Sequence, residues 1–234
     1  PFILGISSGA SLGVAGVILV GGGTGAAFLT AGLGIGGDLA VIVASALVAG
    51  AVMSLVLLLG RVVRSAVTLL LVGVMIGYLV SAGVSVMMSF STPQLIAAYS
   101  RWHFGSYGGV TWGNLVLISL VIGAGLLASL TLAKPLNALL LGERYAESMG
   151  LRLTMMRTAL IALTSVLAGT VTAFCGPIQF LGIAVPHLAR GIFNTSDHRI
   201  LIPATALVGA LLALLADIIA ALPGDGVLPL NAIN

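Results

Sequence analysis

Between positions 39 and 60 the chain runs without a single charged residue, and similar apolar stretches recur along its whole length. A helix crossing a hydrocarbon layer of about 30 Å needs about 20 such residues. A soluble domain carries about 25% charged side chains, whereas these 234 residues hold 6%, with 59% hydrophobic and 32 glycines. So little charge cannot clothe a water-facing surface, and a disordered chain would be polar and highly charged. Nucleic-acid binding needs a clustered basic face. Nine Lys and Arg residues scattered among apolar runs do not form one, despite a formal net charge of +3. The lone cysteine, Cys175, excludes an intrachain disulfide and any cysteine-based metal cluster within these residues. An all-α, polytopic transmembrane helical bundle remains.

Charges, prolines and glycines divide the sequence into seven apolar segments: 2–20, 39–60, 67–90, 115–133, 159–174, 178–190 and 200–220. Two of them are marginal in length for a crossing, and the sixth contains Pro186. A glycine turn is expected at 21–25. Alternate connections carry Arg61 and Arg64; then Lys134, Arg144, Arg152 and Arg157; then Arg190 and Arg199. The intervening ones carry only Arg101, so eight of nine basic residues lie on one side, which the positive-inside rule makes cytoplasmic. With Pro1 first and no initiator Met or signal-peptide pattern, the chain reads as a single transmembrane domain, 1–234, truncated at both ends.

Within lipid no hydrophobic effect pulls helices together, so small residues must let them approach closely. Gly9, Gly13 and Gly16, then Ser45, Ala49 and Gly50, then Gly73 and Gly77 suit that role. A Walker motif needs a lysine followed by Ser or Thr; the only lysine, Lys134, precedes Pro135. ATP is therefore not bound that way here. Asp217 is read as the only acid inside a span, about 26 Å along its helix at 1.5 Å per residue and near the outer interface. His103, in an outer loop with Arg101 and Trp102, His187 and His198 share no short helical spacing that would hold a metal. The serines of Ser7-Ser8-Gly9-Ala10-Ser11 have no placed base to make one a nucleophile. Ser81, Ser85, Thr164, Thr170, Thr172 and Gln179 are candidate wall groups of a passage, or simply hydrogen-bond their own helix carbonyls.

The basic-side connection 136–157 is the longest and the only one dense in mixed charge. Residues 142–150 read as a short helix bounded by glycines, with Glu143 and Glu147 on one face and Ala146 beside Met149. It is either a solvated connector or a lever docked into a cytoplasmic motor subunit.

At this connection the sequence resembles a known family. Leu141-Gly142-Glu143, Ala146 and Gly150-Leu151 are similar to the L-G-E-x-x-A-x-x-x-G-[LV] segment of FecCD-type permeases, membrane subunits of ABC importers for iron-siderophores, haem and cobalamin. Leu4-Gly5-Ile6-Ser7-Ser8-Gly9-Ala10 resembles L-G-[IV]-S-x-G-A. Gly176-Pro177-Ile178 with Phe180-Leu181-Gly182 and Val185-Pro186-His187-Leu188-Ala189-Arg190 resembles G-P-I-x-F-[VLI]-G-L-x-[VI]-P-H-[IL]-x-R. Asp197-His198-Arg199, Leu201 and Pro203 with Ala216-Asp217, and the outer Trp102, Gly105-Ser106 and Trp112, resemble two further elements.

The resemblance implies a type II ABC importer permease-like bundle, here roughly the third to ninth of ten helices, in a bacterial inner (plasma) membrane. It implies a homodimer or pseudo-homodimer surrounded by lipid, two cytoplasmic ATPase subunits using ATP and magnesium, and an extracytoplasmic substrate-binding protein. This chain itself would be no enzyme and would bind no cofactor, metal or nucleic acid. Leu141, Gly142, Glu143, Arg144, Ala146, Glu147 and Gly150 would belong to the coupling helix. Ala221 stands where some members carry an arginine for the binding protein, which leaves Arg101 and Asp225 as substitute contacts. The rival classes are an ion-coupled secondary transporter working through Asp217, an intramembrane hydrolase and a passive structural subunit.

Overall fold

The computed structural model describes residues 5–20, 34–62, 66–178 and 180–221, and these form ten α-helices. α1 (Ile6–Ala15) runs on into a π-helical stretch, Gly16–Val20, and α2 (Gly34–Val62) and α3 (Ala66–Ser89) follow. α4 (Pro93–His103) and a 3-10 turn (Tyr107–Gly109) lead into α5 (Trp112–Thr131). Two short helices, α6 (Ala133–Leu139) and α7 (Glu143–Ser148), precede α8 (Leu153–Cys175), α9 (Leu181–Phe193) and α10 (His198–Ala221). Five stretches are long and apolar enough to cross a membrane: Gly37–Leu59, Leu71–Ser89, Trp112–Thr131, Leu153–Cys175 and His198–Ala220. Of the two marginal segments, 159–174 extends into the full-length Leu153–Cys175 and 178–190 becomes the shorter Leu181–Phe193; segment 2–20 also gives a shorter apolar helix, Ile6–Leu19.

Several boundaries differ from the sequence reading. Lys134-Pro135 does not end a helix: the chain turns at Leu132 and restarts as α6, with Pro135 in the first turn, where its missing N–H is no loss. α8 begins at Leu153, so Arg157 lies within it rather than before it. The outer connection holds the helix α4, with Pro93 at its start and Arg101, Trp102 and His103 in its last turn. Asp217 is not the only acid in a span. α2 reaches back beyond Leu39, and Asp38 lies inside it with 3% of its surface exposed. The expected turn at 21–25 lies outside the described residues.

Small residues bring α1, α2 and α8 together. A Cβ on Gly9 would stand 3.0 Å from the Ala49 Cα, one on Gly13 2.8 Å from the Ala44 carbonyl oxygen, and one on Gly169 2.9 Å from the Ala46 Cα. At their meeting point the buried Ser45 hydroxyl donates to the Gly169 carbonyl at 3.0 Å, with the Ala10 carbonyl 3.4 Å away. Gly16 belongs to no such contact, since nothing lies within 4 Å of where its Cβ would be. The expected packing role holds for Gly9, Gly13, Ser45 and Ala49 but not for Gly16.

The main apolar cluster gathers Val14 of α1, Ile18 of the π-helical stretch, Val41 and Ile42 of α2, Tyr99 and Trp102 of α4, and Phe174 of α8. There the outer connection caps α8. The last carbonyls of a helix have no partner within it. The Trp102 Nε1–H donates to the Ala173 carbonyl at 3.0 Å, and the Ser106 N–H to the Cys175 carbonyl at 2.9 Å. Gly176, at φ 76°, leaves the helix where any Cβ would strike the Trp102 carbonyl, so only glycine serves. Trp102→Phe is expected to cost about 1–3 kcal/mol, because it strands a buried acceptor. A lowered Tm of the purified subunit, with unchanged helical circular dichroism, is the readout.

Outward faces stay apolar. Leu207, Leu211 and Ile218 of α10 and Leu120 and Leu127 of α5 are each at least half exposed. Such large contiguous patches belong against lipid or another subunit, not water.

Candidate functional site

At the α4 end of the bundle, α1, α3 and α4 line a cavity of about 490 Å³. Its polar lining comprises Ser7, Ser8 and Ser11 of α1, Ser81 and Ser85 of α3, and Tyr99, Ser100 and His103 of α4. Val80, Val84 and Met88 supply apolar wall. Serines at this spacing share a helix face, which puts a row of hydroxyls along each side. Ser85 also donates to the Ser81 carbonyl at 2.9 Å. For Ser85 the two readings therefore hold together: it satisfies its own helix and still lines the cavity. Burial pushes the Tyr99 phenol up to about 12 and holds the His103 imidazole below its ordinary value. At neutral pH both are uncharged, so the described wall is polar without carrying a fixed charge.

A second cavity, of about 410 Å³, opens beside Ser7 between α1, α8 and the start of α9. Thr164 and Thr172 line it with Leu167, Val171, Ile178 and Leu181. Thr170 lines neither. It is fully buried and donates to the Val166 carbonyl at 2.7 Å. The candidate wall groups thus divide between two cavities, and Gln179 lies outside the described residues. The sequence reading missed Ser7, Ser8 and Ser11 as wall groups. Their signal was present as hydroxyls crowded onto one short apolar helix.

At the opposite end lies the connection 136–157. Gly142, at φ 104°, sets the sharp entry to α7. Ala146 is fully buried and anchors the helix, and the Leu151 N–H bonds back to its carbonyl at 3.0 Å. Around that anchor Leu140, Leu141, Tyr145 and Met149 are 52–66% exposed. Met149 is the residue that closes the helix, and it is exposed whereas Ala146 is buried. Arg144, Glu147 and Gly150 are exposed too. Glu143 is held within the chain: its carboxylate accepts from the Arg157 guanidinium at 2.7 Å. With both partners half exposed, that pair contributes about 0–1 kcal/mol, and it braces α7 against α8.

Arg101 stands exposed at the outer end of α4, its Nε donating to the Ala97 carbonyl at 3.4 Å. Asp225 lies outside the described residues. Asp217 is exposed near the C-terminal end of α10. Among the described residues no three His, Cys, Asp or Glu side chains gather where they could hold a metal ion.

These two ends, a hydroxyl-lined cavity and an exposed short helix on the basic side, sit on a backbone that matches known proteins throughout. The FecCD transport family matches residues 1–233. The chain belongs to that family. Among curated family relatives, the vitamin B12 import system permease protein BtuC of Escherichia coli O1:K1 is 35% identical over 224 residues, covering 95% of this chain. The protein of the same name from Citrobacter koseri is 34% identical over 223 residues. The chain spans 64% of the length of these relatives. A solved structure described as an inward-facing conformation of a metal-chelate type ABC transporter superposes with a TM-score of 0.80 at 27% identity. It covers 100% of this chain and 71% of its own. The FecCD fold is therefore an all-α, multi-pass membrane bundle, as the sequence reading expects.

Proposed function

We propose that this chain is the core of the membrane-spanning subunit of an ATP-driven importer for metal-chelate cargo of the cobalamin, siderophore and haem class. The observation that carries the proposal is the exposed α7 patch on the basic side of the bundle. Leu140, Leu141, Tyr145 and Met149 crowd about a helix whose buried residue is Ala146 and which the Glu143–Arg157 pair braces. Apolar and aromatic anchors inside a polar rim are what a protein partner buries. In this reading the partner is one of two cytoplasmic ATPase subunits, and Arg144, Glu147 and Gly150 complete the contact. Two copies of the subunit, or one with a close relative, enclose the passage in the bacterial inner membrane. Arg101 meets an extracytoplasmic binding protein at the outer face, with Asp225 beyond the described residues as a second contact. Nucleotide binding shifts α7, and spans tilt as rigid bodies to open one side at a time.

The uncharged serine cavity is the wall past which cargo moves in this scheme, with Ser81 and Ser85 facing Ser7, Ser8 and Ser11. Hydroxyls give many weak contacts and no deep trap, which suits a ligand that must leave. The names of the curated relatives favour cobalamin within the cargo class.

The test is uptake into proteoliposomes by the full-length subunit, its ATPase and its binding protein, with cobalamin and ferric siderophores offered separately. Uptake should require all three proteins and hydrolysable ATP. Uptake that persists without the ATPase overturns the proposal, and if it then fails in Asp217→Asn the ion-coupled reading replaces it. Ser81→Trp should lower uptake at least tenfold by filling the cavity while leaving basal ATP hydrolysis intact, about 1.4 kcal/mol or more in the transport barrier.

A further inference from the structure

The start of α10 is closed by a residue 61 positions earlier in the chain. The first N–H groups of a helix find no partner inside it. At α10 the Asp197 carboxylate accepts from the Arg199 N–H at 2.9 Å, as an N-cap residue does. The neighbouring His198 N–H donates to the side-chain oxygen of Asn137, in α6, at 2.8 Å. The same oxygen lies 2.7 Å from His198 Nδ1. The Asn137 Nδ2–H in turn donates to the Asp197 carboxylate at 2.6 Å. One amide thus supplies both an acceptor and a donor to the cap of another helix. Asp197 is held ionised, first by the Arg199 N–H and then by Asn137, which keep its carboxyl below the ordinary range.

From Asn137 the bonding runs on to α7. The N–H groups of Leu140, Leu141 and Gly142 bond to the carbonyls of Asn137, Ala138 and Leu139 at 3.1–3.2 Å, and the Ala146 N–H reaches the Gly142 carbonyl at 3.0 Å. The backbone from Asn137 to Ala146 is therefore tied turn to turn. On the far side, α10 packs against α9, with Val185 at van der Waals distance from the Gly209 position. The amide of Asn137 thus stands between α7 and the start of α10.

We propose that Asn137 is a positioning residue that makes α10 follow the docked helix α7, acting through Asp197 and the His198 N–H. The proposal rests on the importer reading. Asn137→Ala removes all three contacts, and Asn137→Asp sets two carboxylates against each other. Asn137→Asp combined with Asp197→Asn exchanges donor and acceptor, so a small rotation restores the link.

The experiment uses the assembled transporter in nanodiscs and proteoliposomes. Asn137→Ala should raise the ATP hydrolysed per cargo molecule imported by about tenfold, the scale of one charge-assisted hydrogen bond. The exchanged pair should return that ratio towards the parent value, which a merely structural defect at two sites would not do. Spin labels at Leu140 and Leu207, in a Cys175→Ala background, should give a narrow distance distribution that broadens in Asn137→Ala and narrows again in the exchanged pair. This distance readout needs no cargo. A parent protein that imports nothing while its labels behave as expected defeats the importer reading alone. An unchanged ATP-to-cargo ratio in Asn137→Ala, or an exchanged pair no better than its two single variants combined, overturns the role of Asn137.

Discussion

Gly13→Val is expected to abolish the native bundle, while Gly16→Ala, one turn later on the same helix, is silent. At Gly13 even a methyl group would lie 2.8 Å from the Ala44 carbonyl oxygen and 2.9 Å from the Ser45 Cα. Both obstacles are backbone atoms, so no side chain can swing aside and α1 must move away from α2. That separation also breaks the seat of the Ser45 hydroxyl between Ala10 and Gly169. Overpacking typically costs 1–3 kcal/mol where side chains yield; against backbone on both sides about 3 kcal/mol or more is expected. Gly16 has open space around its Cβ position. The comparison is made on yield of monodisperse subunit and on Tm in detergent. Equal behaviour of the two variants would mean that close backbone approach does not hold these helices together.

The second large effect belongs to the exposed patch about α7. Leu141→Glu with Met149→Glu is expected to release the ATPase and to lower ATP-dependent uptake by about 30-fold or more, the loss of at least one interface anchor of about 2 kcal/mol. Both side chains are exposed, at 66% and 62%, so the Tm of the isolated subunit should move little. Ala146→Glu makes the contrast. Ala146 is fully buried, so a carboxylate there should damage the fold itself. Co-purification of the ATPase with the double variant at the parent ratio would remove α7 from the docking surface. Charge reversal at Glu143 is the poorer probe, because it would set an arginine against Arg157 as well as altering the face offered to a partner.

Elements whose cause is local were legible in the sequence. The long spans follow from apolar length between charges, and the α7 segment from glycines bracketing a short charged helix. α4 and α6 were not, because Pro93 and Pro135 read as breaks although each sits in a first turn, where proline is tolerated. Asp38 escaped notice because a carboxylate at the edge of an apolar run looks like a boundary. The structure instead buries it within a helix.

The sequence by itself determined that this chain enters a membrane and where its long apolar spans lie among the described residues. Those follow from the transfer of apolar and charged groups, and that free energy is summed residue by residue whatever the partners. Only the tertiary structure decided which hydroxyls share a cavity, that Thr170 is walled off from both, that Glu143 is bound to Arg157, and that Asn137 closes a helix far along the chain. Those depend on helix rotation and register. They are set by where backbones can touch, at Gly9, Gly13 and Gly169, and small residues of this kind are scattered too widely in the sequence to reveal which pairs meet.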